Sequence, residues 1–163
     1  MFFVTGTGVE VFDLRTPGTL KRSGTVSPTG IPLGTTVLNG ILYVATGSGY
    51  LHKYDAATLA PVATYDLTAR SLNFQGMDTD GTYLYIGSYD PTNTVFKFDL
   101  NGSYVASWTH VYGALRSVAY DEQTGYIYLS NGLTVYVHNG WGGSLVTSYA
   151  RSFGTSDTMF YYG

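Results

Sequence analysis

The chain has 163 residues, enough for one domain that buries about 70% of the surface its unfolded form exposes. Charged residues make up 12% and the net charge is −3, with 8 scattered Lys and Arg, so the basic clusters that neutralise phosphates are missing and nucleic acid is excluded as a partner. Apolar residues at 44% argue against disorder, no apolar run reaches the ~18 residues of a membrane span, no leader peptide is seen, and the lack of cysteine leaves the redox compartment open.

In chain order, the apolar pattern alternates with period two in runs rich in Val, Tyr and Phe, which predicts strands. The first run, Phe2-Phe3-Val4, opens a segment that ends near Thr25. Similar segments follow at 41–67, 83–108 and 126–149. Their first strands are marked by Phe3, Tyr43, Tyr85 and Tyr128, and their last strands by Thr25, Tyr65, Trp108 and Tyr149. Both sets of markers recur at about 40 residues, the scale of a repeated supersecondary unit. Turn signals fall between the runs: Asn39-Gly40, Asp80-Gly81, Asn101-Gly102 and Asn139-Gly140, pairs that tolerate positive φ in tight hairpins. A further short run precedes the marker strand at 35–38, 75–78 and 116–119, so each repeat holds four antiparallel strands, a to d.

Four strands per repeat of this length predict an all-β chain: a single β-propeller domain, 1–163, of four four-stranded blades. The blades span 1–27 with 155–163, 34–67, 74–109 and 115–150. The chain starts in a b strand, and the missing a strand falls at Asp157-Thr158-Met159-Phe160. Pairing this C-terminal strand with the N-terminal strands closes the ring and hides its sheet edges. An end-exchanged dimer with eight blades competes with the closed monomer. Strands b are expected to bury Phe3, Val4, Leu42, Val44, Leu84, Ile86, Ile127 and Leu129 between blades.

The runs Tyr43-Val44-Ala45-Thr46, Tyr54-Asp55 and Val62-Ala63-Thr64-Tyr65 resemble YVTN and NHL-type β-propeller repeats. The resemblance spans nearly the whole chain and implies the fold. For function it implies only a wide range, since such propellers serve as ligand-binding, protein-binding and sometimes catalytic modules. This chain departs from the pattern in having four blades rather than six to eight. It also has His138 where the earlier repeats have Asp13, Asp55 and Asp99.

Those three aspartates sit where a strand enters a turn, a place where Asp accepts backbone N–H bonds, so they are expected to cap turns rather than ring a metal. Asp78-Thr79-Asp80-Gly81 has carboxylates two apart followed by Gly, but lacks the spacing of a calcium loop and is expected to form a hairpin turn. His52, His110 and His138 share no zinc-ligand spacing, and no nucleophile elbow is present, so no metal, no cofactor and no enzymatic chemistry are expected. Asn101-Gly102-Ser103 matches a glycosylation acceptor and is equally an ordinary turn.

Two candidates for recognition remain. Trp141 lies in the Gly-rich turn 139–143, where it either meets a partner or sugar ring or folds back over its own blade. Alignment of the a strands by spacing places Thr35, Gln75, Arg116 and Asp157 at one position, with Thr36, Gly76, Ser117 and Thr158 beside them. Strands a line a propeller's channel, so the first four form a polar ring at its mouth, with Arg116 beside Asp157. The expected function is a structural or adhesive binding module with a protein partner in a larger assembly, including a phage virion decoration or tail component. The alternative is a lectin-like glycan binder. Extracellular or virion placement suits the Thr, Gly and Tyr bias and the scarcity of Lys.

Overall fold

A computed structural model of the chain describes residues 2–5, 8–13, 19–90 and 93–150. Among these the chain is all-β, with fifteen strands in four consecutive antiparallel sheets and no helix. The first sheet has three strands, β1 (Phe2–Thr5), β2 (Gly8–Asp13) and β3 (Thr19–Thr25). The second has four: β4 (Pro32–Leu38), β5 (Ile41–Thr46), β6 (Tyr50–Asp55) and β7 (Pro61–Asp66). The third comprises β8 (Asn73–Thr79), β9 (Tyr83–Asp90), β10 (Thr94–Asp99) and β11 (Tyr104–Thr109). The fourth comprises β12 (Ser117–Tyr120), β13 (Ile127–Ser130), β14 (Thr134–His138) and β15 (Leu145–Ala150). The strand expected at 157–160, and with it the closing of a ring, lies outside the described residues. No helix among the described residues is long and apolar enough to cross a membrane.

Each sheet is a meander because its turns are short and chemically suited to reversal. Asn39 and Gly40 take φ of 50° and 76°, the paired positive values of a two-residue hairpin. Aspartates close the c to d turns as expected: Asp55 Oδ1 accepts the N–H groups of Ala57 and Thr58 at 2.9 and 2.6 Å. Asp99 Oδ1 accepts those of Asn101 and Ser103 at 2.8 and 2.7 Å. The side chain of Asp13 lies outside the described residues. Where His138 replaces the aspartate, its Nδ1 meets the Gly143 carbonyl across the corresponding turn at 2.9 Å.

Period-two alternation sends neighbouring side chains of each central strand into different cores. In β5, Leu42 and Val44 pack with Val9 of the first sheet and Val26 just after its last strand. Tyr43 and Ala45 face the other way, joining Phe74, Leu84, Ile86 and Phe98 of the third sheet. Ile127 and Leu129 of β13 meet Tyr85 and Val95 of the third sheet. The six b-strand residues Leu42, Val44, Leu84, Ile86, Ile127 and Leu129 are fully buried, each worth about 1.5–3 kcal/mol on transfer from water. Val4 is partly buried against its cluster, and the side chain of Phe3 lies outside the described residues.

The first strands of the second, third and fourth sheets adjoin one another and run parallel. Thr36 of β4 reaches Asp78 of β8, Asp78 reaches Tyr120 of β12, and Gly76 donates its N–H to the Arg116 carbonyl at 3.2 Å. Glycine permits this approach: a Cβ on Gly76 would stand 2.6 Å from the Cα of Ser117 and 3.0 Å from the Val118 nitrogen. β1 lies against β4, so the first sheet joins the same row.

Candidate functional site at the starts of the inner strands

Because the inner strands run parallel and every sheet is antiparallel within itself, all d to a connections and b to c turns fall at one end of the row. That end is apolar. Ile31 (69% exposed), Leu72 (64%), Val111 (88%) and Leu133 (67%) project there, with Leu33 and Tyr89 beside them. The opposite end, with the a to b and c to d turns, carries Asp55, Asp78, Asp80, Asp99, Asp121 and Glu122. Asp66 and Asp90, which end β7 and β9, share the first end with these apolar side chains.

Two of the four residues expected in the polar ring lie at the starts of their strands. Gln75 is buried and donates from Nε2 to Asn73 Oδ1 at 2.7 Å. The Arg116 guanidinium lies 5.0 Å from the centre of the Tyr89 ring, within reach of a cation–π contact, and its backbone N–H donates to the Ser130 carbonyl at 2.8 Å. Thr35 does not share their level. It stands opposite Val44, whereas the residues opposite the equivalent Ile86 and Leu129 are Met77 and Val118. The a to b separation is the same in the second and third sheets, nine residues from Thr35 to Val44 and from Met77 to Ile86, so the inner strands correspond at a step of 42 residues, Thr35 to Met77, and the step of 40 to Gln75 falls two short. The residues level with Gln75 and Arg116 in β4 are Leu33 and Gly34. Asp157, and the pair it was expected to make with Arg116, lies outside the described residues, as does Thr158.

Trp141 folds back. It is half-buried, stacked on Tyr85 with ring centres 5.3 Å apart and set edge-on to Trp108 at 6.0 Å. Lys97 Nζ sits 3.9 Å above the Tyr83 ring and 5.5 Å from the rings of Tyr85 and Trp141. This aromatic group continues through Trp108, His138, Tyr112 and Tyr136, the last two stacked at 3.8 Å.

Asp78 ends the inner-strand run expected at 75–78 and also heads the Asp-Thr-Asp-Gly run expected to form a turn. It belongs to β8 rather than to the following turn, and its carboxylate ties three inner strands by accepting from the Thr36 hydroxyl (3.3 Å) and the Tyr120 N–H (2.9 Å), besides its neighbour Thr79. Burial pushes its carboxyl above the ordinary range and the Glu122 charge adds to this, against the hydrogen bonds, which pull the other way. A carboxyl that holds its proton longer is suited to proton transfer, but the oxygens of Asp78 are committed to these donors. Among the described residues no group of three or more His, Cys, Asp or Glu could hold a metal ion.

No protein-family model matches the sequence, and no curated protein matches it. Among solved structures, glutaminyl cyclase of Myxococcus xanthus is similar at a TM-score of 0.62, with 20% identity, over 73% of this chain and 50% of its own. A chain of a mitotic checkpoint complex is similar at a TM-score of 0.61, with 18% identity, over 91% of this chain and 46% of its own. The chain spans half or less of the length of these structures, and identities this low show the fold alone. The likeness corrects one expectation. The sequence reading set enzymatic chemistry aside for want of catalytic spacing, yet a structure sharing this fold is an enzyme, so the lack of a motif does not place the chain outside catalysis.

Proposed function

We propose that the four sheets are blades of a β-propeller and that the protein is a binding module of a larger assembly, docking a protein partner through its apolar end. The observation that carries this reading is the set of exposed Ile31, Leu72, Val111 and Leu133 at the end where Gln75 and Arg116 open the inner strands. Apolar side chains gathered on one end, beside a few polar groups that fix orientation, are the make-up of a protein-docking patch. Arg116, resting on Tyr89, brings a guanidinium to the polar part of this end. The YVTN and NHL-type resemblance and the row of parallel inner strands support the propeller. Pairing of 157–160 with the free edge of β1 completes the ring, within one chain or across an end-exchanged dimer.

The lectin-like reading is weaker, because the indole of Trp141 is taken up by Tyr85 and Trp108 rather than presented as a platform. Co-expression of a doubly substituted Val111→Glu, Leu133→Glu protein with the products of neighbouring genes tests the docking face. Wild type is expected to co-purify with one of them and the variant to lose it at an unchanged melting temperature. Co-purification untouched by the substitutions, or binding confined to a glycan array, overturns the proposal. Light scattering separates monomer from dimer. A truncation lacking 155–163 that stays soluble and equally stable overturns the closure.

A further inference from the structure

Two imidazoles buried between the third and fourth sheets, His110 (6% exposed) and His138 (3% exposed), each use one ring nitrogen and leave the other without a hydrogen-bond partner among the described residues. Their partners fix their protons. His110 Nδ1 accepts the Tyr112 N–H at 3.2 Å, and a nitrogen that accepts carries no proton, so the neutral ring bears its proton on Nε2. His138 Nδ1 faces the Gly143 carbonyl at 2.9 Å, and a carbonyl only accepts, so this ring bears its proton on Nδ1 and leaves Nε2 as a bare lone pair.

The two unpartnered atoms are therefore complementary, one a donor and the other an acceptor. They share one enclosure: Trp108 stands edge-on to both rings, 4.6 Å from His138 and 6.3 Å from His110, and Tyr112 lies 5.2 Å from His110 and 5.4 Å from His138. A hydroxyl group both donates and accepts, and so answers both atoms at once. A cation does not, since it needs a lone pair on each nitrogen and His110 offers a proton instead.

We propose that His110 and His138 form a buried hydroxyl-binding site in which one water accepts from His110 Nε2–H and donates to His138 Nε2, bridging the third and fourth sheets. Burial leaves each atom otherwise unsatisfied, and internal waters occupy positions where buried polar groups lack protein partners. The inference stands on the two rings alone and does not depend on the docking role.

Nitrogen-resolved NMR of the histidine rings is the direct test. The Nε2–H form is expected at His110 and the Nδ1–H form at His138, with a cross-peak from water to the His110 ring proton. The opposite form at either ring, or the lack of a water cross-peak, overturns the bridge. His110→Phe, His138→Phe and the double variant test it thermodynamically. Each single change strands the other ring, so the double variant is expected to lower the melting temperature by clearly less than the sum of the two. Additive losses overturn the proposal.

Discussion

The carboxylate of Asp78 in β8 accepts the backbone N–H of Tyr120 in β12 at 2.9 Å, so a side chain supplies the hydrogen bond that a neighbouring strand supplies within a sheet. A second oxygen holds Thr36 of β4 at 3.3 Å. One residue thus ties three sheets at their inner strands, where Gly76 has already brought the backbones together. Asp78→Ala strands the Tyr120 N–H and is expected to cost roughly 2–3 kcal/mol, the range for hydrogen bonds to a charged group. Chemical denaturation at pH 7 measures it. The sign with pH is also set: the folded carboxyl titrates above its unfolded value of 3.8, so the folded protein binds the extra proton and wild type gains stability relative to Asp78→Ala as pH falls through the raised value.

Gly76→Ala tests how closely β8 and β12 must approach. The added methyl meets Ser117 Cα at 2.6 Å, which is backbone and cannot swing aside, so the strands must part and weaken the bond from Gly76 N–H to the Arg116 carbonyl. A loss of roughly 2 kcal/mol or more is expected in denaturant unfolding, in line with other overpacked sites. A variant as stable as wild type would mean the inner strands have room to spare.

The period of the repeat, the strands within it and the capping aspartates at 55 and 99 were legible because they depend on local chemistry, alternation and turn residues. The level of Thr35 was not. It depends on the length of chain between one inner strand and the next, which sets Thr35 level with Met77 at a step of 42 rather than with Gln75 at 40, and alternation does not record this. Asp78 was legible as the end of the run 75–78, but its role was not, since the Thr36 and Tyr120 groups it accepts from belong to other sheets. The aromatic group around Trp141 and the pairing of His110 with His138 arise between sheets, at contacts that no spacing in the sequence announces.

Lys97 and Lys53 sit directly across the ladder from Tyr85 and Tyr43, and each ammonium lies within 6 Å of its tyrosine ring. Lys97 has Tyr83 and Trp141 around it as well, whereas Lys53 has Tyr65 and donates from Nζ to the Leu100 carbonyl at 3.1 Å. Lys97→Met keeps the stem and removes the charge. It is expected to cost about 1 kcal/mol, on the scale of cation–π contacts. No loss in thermal unfolding would show that the rings around Lys97 add nothing.

Burial and the neighbouring His138 hold His110 near a pKa of about 4, below the ordinary 6.5. Between those values the unfolded chain binds a proton that the folded protein refuses, so stability is full above about pH 6.5 and falls as pH drops toward 4. The full difference amounts to roughly 3 kcal/mol. Asp78 works in the opposite sense, which makes the His110→Phe comparison the cleaner measurement: its stability relative to wild type should rise on going from pH 7 to pH 4.5. A difference that does not change with pH would show that the imidazole titrates alike in both states.

The phenol of Tyr85 donates to Asp80 Oδ2, at the turn that carries the chain from β8 to β9. Burial and this carboxylate push the phenol well above its ordinary value. For Asp80 burial works upward, but the bonds from Tyr85, Tyr83 and Thr82, with the Lys97 charge, outweigh it and hold the carboxyl below 3.8. Such a group contributes stability that is present above its unfolded value and lost as pH falls through its folded one. Tyr85→Phe removes one donor and leaves the ring stacked on Trp141, so it is expected to cost about 1 kcal/mol at pH 7 after allowance for solvent screening at a partly open site. The cost should shrink below pH 3.8, because wild type then loses the same charged acceptor. Denaturant unfolding of both proteins at pH 7 and pH 2.5 measures this, and a cost that is unchanged or larger at the lower pH would show that the hydroxyl acts through packing rather than through the carboxylate.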